Sequence, residues 1–189
     1  MNISLNWLKE YLPLDLSAAE TAEILTNIGL AVDGIEEYES IPGGLKGVVV
    51  GKVIECIKHP NADKLSLTKV DIGTGLLHQI VCGAPNVAAG QTVLVATIGS
   101  TLHNSKGEKL EIKKGKSRGE ISEGMICAGD ELSINDDHSG IIILEDQWHA
   151  GTAAAEVYPV YRDTIFEVDL TPNRSDATCH IGVAKDLAA

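Results

Sequence analysis

The fold of the central region is decided by one strand-like run, Val48-Val49-Val50-Gly51-Lys52-Val53-Ile54-Glu55-Cys56-Ile57. β-Branched residues predominate in this run, and they favour the pleated, half-buried surface of a β-strand. Four more strands are predicted downstream, each bounded by turn-forming residues, at 65–72, 77–82, 93–98 and 141–144. A short helical turn is expected at 86–89.

Five short strands joined by glycine-rich turns are typical of a small closed Greek-key barrel. The leading prediction for this region is therefore an oligonucleotide/oligosaccharide-binding barrel, or OB-fold. Because only 4% of the residues are aromatic, the core is expected to consist mainly of Val, Ile, Leu and Ala.

The segment before the linker Pro42-Gly43-Gly44 predicts two helices and a strand. The first helix ends at Pro13, and its apolar face is formed by Leu5, Leu8, Tyr11 and Leu12. The second begins at Ser17-Ala18-Ala19-Glu20, which has the spacing of a capping box, and ends near Gly29. A strand is predicted at 31–38.

The segment after Gly151 returns to a mixed pattern. Residues 165–170 predict a strand with Phe166, Val168 and Leu170 on one face. Ser175 or Asp176 is expected to cap a last helix, whose apolar face carries Ile181, Ala184 and Leu187. This helix reaches the chain end without a stop signal, which predicts a piece of a longer protein.

Charge is distributed unevenly over a chain whose net charge is −12. Residues 41–120 carry eleven basic and six acidic side chains, whereas the segments on either side are acidic. A basic middle between acidic flanks indicates a separate module with its own partner. The four cysteines are widely spaced, and no secretory signal or long apolar stretch is present, so a cytoplasmic protein with reduced thiols and no membrane partner is expected.

Motifs for catalysis are missing from this sequence. It contains no phosphate-binding GxxxxGK[ST] loop, no GxGxxG after a strand, no HExxH and no GxSxG. Asp136-Asp137-His138 is interpreted as a solvated acidic loop, and Cys179-His180 as ordinary helix residues. No catalytic or metal-binding residue is therefore predicted.

Two polar segments are candidates for binding nucleic acid. In the turn His59-Pro60-Asn61-Ala62-Asp63-Lys64-Leu65, Asn61 holds the backbone while His59 and Lys64 are expected to be presented at the barrel rim. The second segment carries four cations in six residues: Lys113, Lys114, Lys116 and Arg118. Because no aromatic residue interleaves with them, we expect contact with the phosphate backbone rather than reading of bases. The alternatives are a purely structural turn and a solvated hairpin.

These segments resemble the tRNA-binding barrel shared by several synthetases, tRNA-binding accessory proteins and a small chaperone-like protein. The resemblance extends over two further motifs, Ile80-Val81-Cys82-Gly83-Ala84-Pro85-Asn86 and Ser122-Glu123-Gly124-Met125-Ile126-Cys127. It adds Asn86 and Ser122 to the candidate tRNA-binding residues.

The flanking motifs resemble the family of bacterial phenylalanyl-tRNA synthetase β chains. They are Asn6-Trp7-Leu8, 29–36, Thr171-Pro172-Asn173-Arg174-Ser175-Asp176 and 182–189. Lys185 stands where this family commonly has Arg, and Cys179-His180 where Ser or Leu is more usual.

The resemblance implies a mixed α+β fold, with an OB-fold barrel at 40–151 inserted into a small discontinuous helical, winged-helix-like domain at 1–39 and 152–189. It also implies that the whole enzyme attaches phenylalanine to tRNA with ATP and Mg²⁺, as two α and two β chains. This piece is expected to be non-catalytic, without a cofactor of its own, and to bind tRNA rather than DNA. Two alternatives remain open: an assembly scaffold in the same enzyme, and a free-standing tRNA-binding or chaperone-like protein.

Overall fold

The computed structural model describes residues 1–189. The strands in chain order are β1 (Asn2–Ser4), β2 (Ala31–Glu39), β3 (Val48–Lys58), β4 (Ser66–Asp71), β5 (Leu77–Cys82), β6 (Thr92–Ala96), β7 (Thr101–His103), β8 (Lys109–Glu111), β9 (Gly115–Ser117), β10 (Glu120–Ser122), β11 (Met125–Ile126), β12 (Ile143–Leu144) and β13 (Arg162–Asp169). The α-helices are α1 (Leu5–Tyr11), α2 (Ala18–Asn27), α3 (Ala154–Val157) and α4 (His180–Leu187). None of the helices is both long enough and apolar enough to cross a membrane.

The chain divides into two compact units. The first unit combines Met1–Ser40 with Tyr161–Ala189, and the second comprises Ile41–Val160. Each unit encloses its own buried apolar side chains.

The first unit is a three-stranded antiparallel sheet, in the order β1-β13-β2, with helices packed on it. Ile3, Leu8, Leu25 and Phe166 are fully buried in its core. The predicted capping box is confirmed, because the Ser17 hydroxyl accepts from the Glu20 amide while the Glu20 carboxylate accepts from the Ser17 amide.

Three details of the first unit correct the sequence-based expectations. Tyr11 and Ile181, assigned to apolar faces, are 52% and 49% exposed. Ser175 and Asp176 do not cap the last helix, because they lie in a separate 3₁₀ turn and α4 begins only at His180. The buried residues of α4 are Val183 and Ala184.

The second unit contains a nearly closed five-stranded antiparallel barrel, as predicted. Its sheet has the order β11-β6-β3-β4-β5, and β12 also pairs with β6. The long strand β3 pairs with β4 through its second half and with β6 through its first half. Val50, Val53, Val70, Ile80 and Leu94 are fully buried inside.

Two hairpins lie between β6 and β11, and their short strands are absent from the five predicted strands. They are formed by β7 with β8 and by β9 with β10, and each strand has three residues. The prediction of a helical turn at 86–89 is wrong. Instead, the Gln91 side chain accepts a hydrogen bond from the Ala88 amide and donates one to the Asn86 carbonyl.

Candidate nucleic-acid interface

The outer face of β3, β4 and β5 presents two rows of side chains. Antiparallel register aligns Ile57 with Leu67 and Leu67 with Val81, which gives an apolar row. The neighbouring row is polar and aligns Glu55 with Lys69 and Lys69 with Gln79. Ile57 is 62% exposed, and Leu67 and Val81 are partly exposed. In OB-folds the faces of the second and third strands, with the loops beside them, bind oligonucleotides.

The turn at 59–65 joins β3 to β4, and its histidine is buried. His59 is only 4% exposed. Its Nδ1 accepts from the Asn61 amide at 3.0 Å, so the ring proton resides on Nε2, which donates to the Ser117 carbonyl at 3.2 Å. The expectation that the turn presents His59 at the rim is therefore wrong, because both ring nitrogens are already bonded inside the fold.

The basic segment forms the hairpin of β9 and β10, which lies beside this turn. Arg118 and Gly119 both have positive φ, 50° and 104°, as a two-residue type I′ turn requires. The Asn61 side-chain amide donates to the Arg118 carbonyl at 3.4 Å. The two segments singled out in the sequence thus form one continuous surface.

Hydrogen bonds also fix this hairpin to β5. The Gln79 side-chain amide donates to the Ile121 carbonyl at 3.0 Å. The Ser122 hydroxyl accepts from the Val81 amide at 3.1 Å and donates to the Gly124 carbonyl at 3.0 Å. Ser122 therefore orients the hairpin, with both functions of its hydroxyl in use.

The cations of this surface fall into two groups. Lys113 lies 2.8 Å from Glu111, and Lys114 lies 2.8 Å from Glu123. The hydrogen bond from Lys114, with the charge of the same lysine, lowers the pKa of Glu123. The remaining cations, Lys64, Lys116 and Arg118, are exposed, and their side chains make no hydrogen bond or ion pair within the chain.

Asn86 is bonded to a different segment of the second unit, the one before β12. Its Nδ2 donates to the Ile141 carbonyl and its Oδ1 accepts from the Ile141 amide, both at 3.0 Å. The side chain thus substitutes for a neighbouring strand and holds the segment before β12 in place.

Sequence reasoning missed the apolar part of the surface. Ile57, Leu67 and Val81 lie on the outer face, and Ile121 on the hairpin is 44% exposed. The available signal was an apolar residue at outward as well as inward positions of these strands, which breaks the alternation expected of a half-buried strand. No group of three or more His, Cys, Asp or Glu side chains that could hold a metal ion is present.

Comparisons with known proteins extend over the whole chain. Residues 48–153 match the family model of a putative tRNA-binding domain. The phenylalanine–tRNA ligase beta subunit of Bacteroides thetaiotaomicron is 54% identical over 189 residues, which are 100% of this chain and 23% of that protein. The same subunit of Salinibacter ruber is 47% identical, with 100% of this chain and 24% of that protein covered.

The chain therefore spans about a quarter of the length of these curated relatives. The resemblance inferred from the sequence motifs is confirmed by these matches. Among solved structures, a MetRS-related protein from Pyrococcus horikoshii aligns with a TM-score of 0.40 and 20% identity, over 56% of this chain and 85% of that one.

Proposed function

Because the chain belongs to the family of putative tRNA-binding domains, we propose that it is the tRNA-binding region of a phenylalanine–tRNA ligase β subunit. In this proposal the chain contributes binding and performs no catalytic step itself.

The observation that carries the proposal is the position of the three unpaired cations. In a chain whose net charge is −12, Lys64 lies in the turn at 59–65, and Lys116 and Arg118 lie in the hairpin of β9 and β10. Since this turn and this hairpin are hydrogen-bonded to each other, these charges are held beside the outer face of β4 and β5. Cations so placed bind the phosphates of a nucleic acid and release its condensed counterions, which makes the affinity depend on salt.

The apolar row supports the same proposal. Ile57, Leu67 and Val81 offer aliphatic surface to the sugars and bases of a strand whose phosphates contact the loops. No aromatic side chain lies in either row, so the phosphate contacts provide most of the affinity.

The relatives' name supports a broader proposal for the complete protein. We propose that it acts in the cytoplasm with an α chain, as two α and two β chains, and attaches phenylalanine to tRNA with ATP and Mg²⁺. No residue of this chain is assigned to ATP or Mg²⁺, because the chain has neither a glycine-rich phosphate loop nor a cluster of metal-ligating side chains.

The test is a fluorescence titration of labelled tRNA against the chain at several salt concentrations. A Lys116→Ala, Arg118→Asn double variant removes two cations, and Asn preserves the positive φ of the turn. The matched control, Lys9→Ala with Lys185→Ala, removes two exposed cations of the first unit. We expect the first variant to lower the slope of log affinity against log salt by about two, and the control to leave it unchanged. Equal effects of both variants, or no tRNA binding at low salt, would contradict the proposal.

A second candidate function is an assembly scaffold. It is favoured by the observation that six of the nine candidate residues already have partners within the chain: His59, Asn61, Asn86, Ser122, Lys113 and Lys114. A scaffold predicts that removing the second unit from the complete enzyme lowers the yield of assembled enzyme more than its tRNA affinity. Intact assembly with weakened tRNA binding would exclude it.

A further inference from the structure

A cavity of about 420 Å³ lies next to the candidate interface, in the second unit. Its apolar walls are formed by Val81, Ala84, Pro85, Met125, Ile126 and Ile141. Val81 also belongs to the apolar row of the outer face, so the cavity continues that surface. The lining is mixed, with Glu131, His138 and Ser139 beside the apolar walls, and the volume is in the range of sites for small organic ligands.

Glu131 supplies a hydrogen-bond acceptor to this cavity. One of its carboxylate oxygens accepts from the Ala128 amide at 2.7 Å, which fixes the side chain. The other carboxylate oxygen has no hydrogen-bond partner within the chain. A carboxylate is an acceptor only, so the matching ligand group is an N–H or O–H donor.

His138 supplies a donor at the rim of the same cavity. Its Nδ1 lies 2.9 Å from a carboxylate oxygen of Asp130. The hydrogen bond that Nδ1 donates to Asp130, together with the charge of that carboxylate, raises the pKa of His138 and favours the protonated ring. In that form Nε2 is a free donor.

The cavity is held open by the fold. Asn86 forms two hydrogen bonds with the Ile141 backbone, which positions the wall at 138–141. Gly140 permits this contact, since a Cβ there would lie 2.6 Å from the Asn86 amide nitrogen. A site formed before the ligand arrives avoids part of the ordering cost of binding.

We propose that this cavity binds one unstacked guanine base of the bound RNA. The inference rests on the proposed function and adds a base-reading site to the phosphate contacts. Guanine presents two N–H donors, at N1 and N2, beside its O6 acceptor. The donors match Glu131 and the acceptor matches protonated His138, while the ring faces contact Met125 and the apolar walls. Adenine presents a ring nitrogen without a proton at the corresponding edge position, and the carboxylate of Glu131 would repel its lone pair. Uracil has a single N–H between two carbonyl groups, and the carboxylate would repel these carbonyl oxygens.

The direct test uses guanosine monophosphate and methionine methyl resonances. The chain has two methionines, Met1 and Met125, so ¹³C-methyl labelling gives two signals and Met1 serves as an internal control. We expect guanosine monophosphate to shift the Met125 signal and leave Met1 unchanged, with adenosine monophosphate binding on the order of tenfold more weakly. An unmoved Met125 signal, or equal affinity for the two nucleotides, would overturn the inference.

Glu131→Gln is the matched variant. The glutamine carbonyl can still accept from the Ala128 amide, so the fold is preserved while one acceptor is exchanged for a donor. We expect the preference for guanine to disappear, whereas Glu145→Gln, at an exposed carboxylate, keeps it. A retained preference in Glu131→Gln would contradict the assigned role.

Single-stranded oligouridylates with one central guanosine, inosine or adenosine separate this inference from the proposed function. Inosine lacks the N2 amino group, so its RNA should bind less tightly than the guanosine RNA. RNA binding without base preference would overturn the guanine site and leave the proposed function intact. A Met125 shift with guanosine monophosphate, without binding of any RNA, would support the guanine site and overturn the proposed function.

Discussion

The Nε2 atom of His59 donates to the carbonyl oxygen of Ser117, 58 residues away, across 3.2 Å. Because Nδ1 accepts from the Asn61 amide, the neutral ring has one tautomer that satisfies both bonds. This buried imidazole joins the turn after β3 to the hairpin of β9 and β10. Together with the bond from Asn61 to the Arg118 carbonyl, it makes the candidate interface one surface.

Replacement of His59 by Ala should destabilise the second unit. The two hydrogen bonds of the buried ring would be lost, and each contributes about 0.5–1.5 kcal/mol. The measurement is the free energy of unfolding in urea. Lys64→Ala, at an exposed position of the same turn, should change it by less than about 0.5 kcal/mol. An unaltered unfolding midpoint for His59→Ala would show that the link is unimportant.

Replacement of Glu123 by Gln should strengthen RNA binding. The change removes the carboxylate that lies 2.8 Å from Lys114 and makes this lysine available to phosphate. Because an exposed ion pair contributes up to about 1 kcal/mol, we expect a gain of about two- to fivefold in affinity. The fluorescence titration at low salt measures it, with Glu145→Gln as the control. A weaker affinity in Glu123→Gln would mean that the ion pair orients the hairpin for binding.

Stability at acidic pH should depend on Asp163. Burial raises the pKa of this carboxyl, but hydrogen bonds from the Ser4 hydroxyl, the Asn6 amide, the Tyr161 hydroxyl and the Thr164 amide outweigh burial and lower it. The folded pKa therefore lies below the unfolded value of about 3.9. The stabilisation is fully present above the unfolded pKa and is lost as the pH falls through the folded pKa.

Asp163→Asn tests this dependence. We expect the variant to be less stable at pH 7 by about 1.5–3 kcal/mol, since hydrogen bonds to a charged group are lost. Its unfolding free energy should also fall less steeply than that of the unmodified chain below about pH 4. Asp169→Asn, at an exposed position of the same strand, should keep the original pH profile. Identical profiles for all three proteins would refute the role of Asp163.

Gly182→Ala should destabilise the first unit, although Ala is the better helix former. A Cβ at this position of α4 would lie 2.9 Å from the Ala177 Cα and would also meet the Asp176 carbonyl. Both obstacles are backbone, so the expected cost is about 1–3 kcal/mol. Thermal unfolding measures it, with Lys185→Ala on the same helix as the control. At an unobstructed site the change would instead stabilise by about 1 kcal/mol, so a raised midpoint would contradict the close packing of Gly182 against Asp176 and Ala177.

The elements that sequence predicted well have their determinants within a few residues. The strand Leu77–Cys82 was placed correctly, because turn-forming residues bound it on both sides. The capping box at Ser17 was likewise read from a four-residue motif. By contrast, the strands of the hairpins have three residues each, too few for a period of two to be recognised.

The details of the candidate interface depend on contacts between distant residues. His59 is bonded to Ser117, 58 residues away, and no local sequence pattern predicts that contact. Counting charges identified the basic segment but could not distinguish Lys114, which is paired with Glu123, from Lys116, which is unpaired. The apolar row requires the register of three strands, which is a property of the folded sheet.

The pairing of Glu39 with Arg162 has a consequence for how this protein could arise. These residues face each other at the ends of β2 and β13, and the arginine Nε donates to the Glu39 carboxylate at 2.9 Å. The chain thus leaves the three-stranded sheet of the first unit at the end of β2 and re-enters it at the start of β13, in the neighbouring position. An insertion or deletion of the segment from Ile41 to Val160 would therefore keep the register between β2 and β13. A tight hairpin turn is enough to join Ser40 to Tyr161.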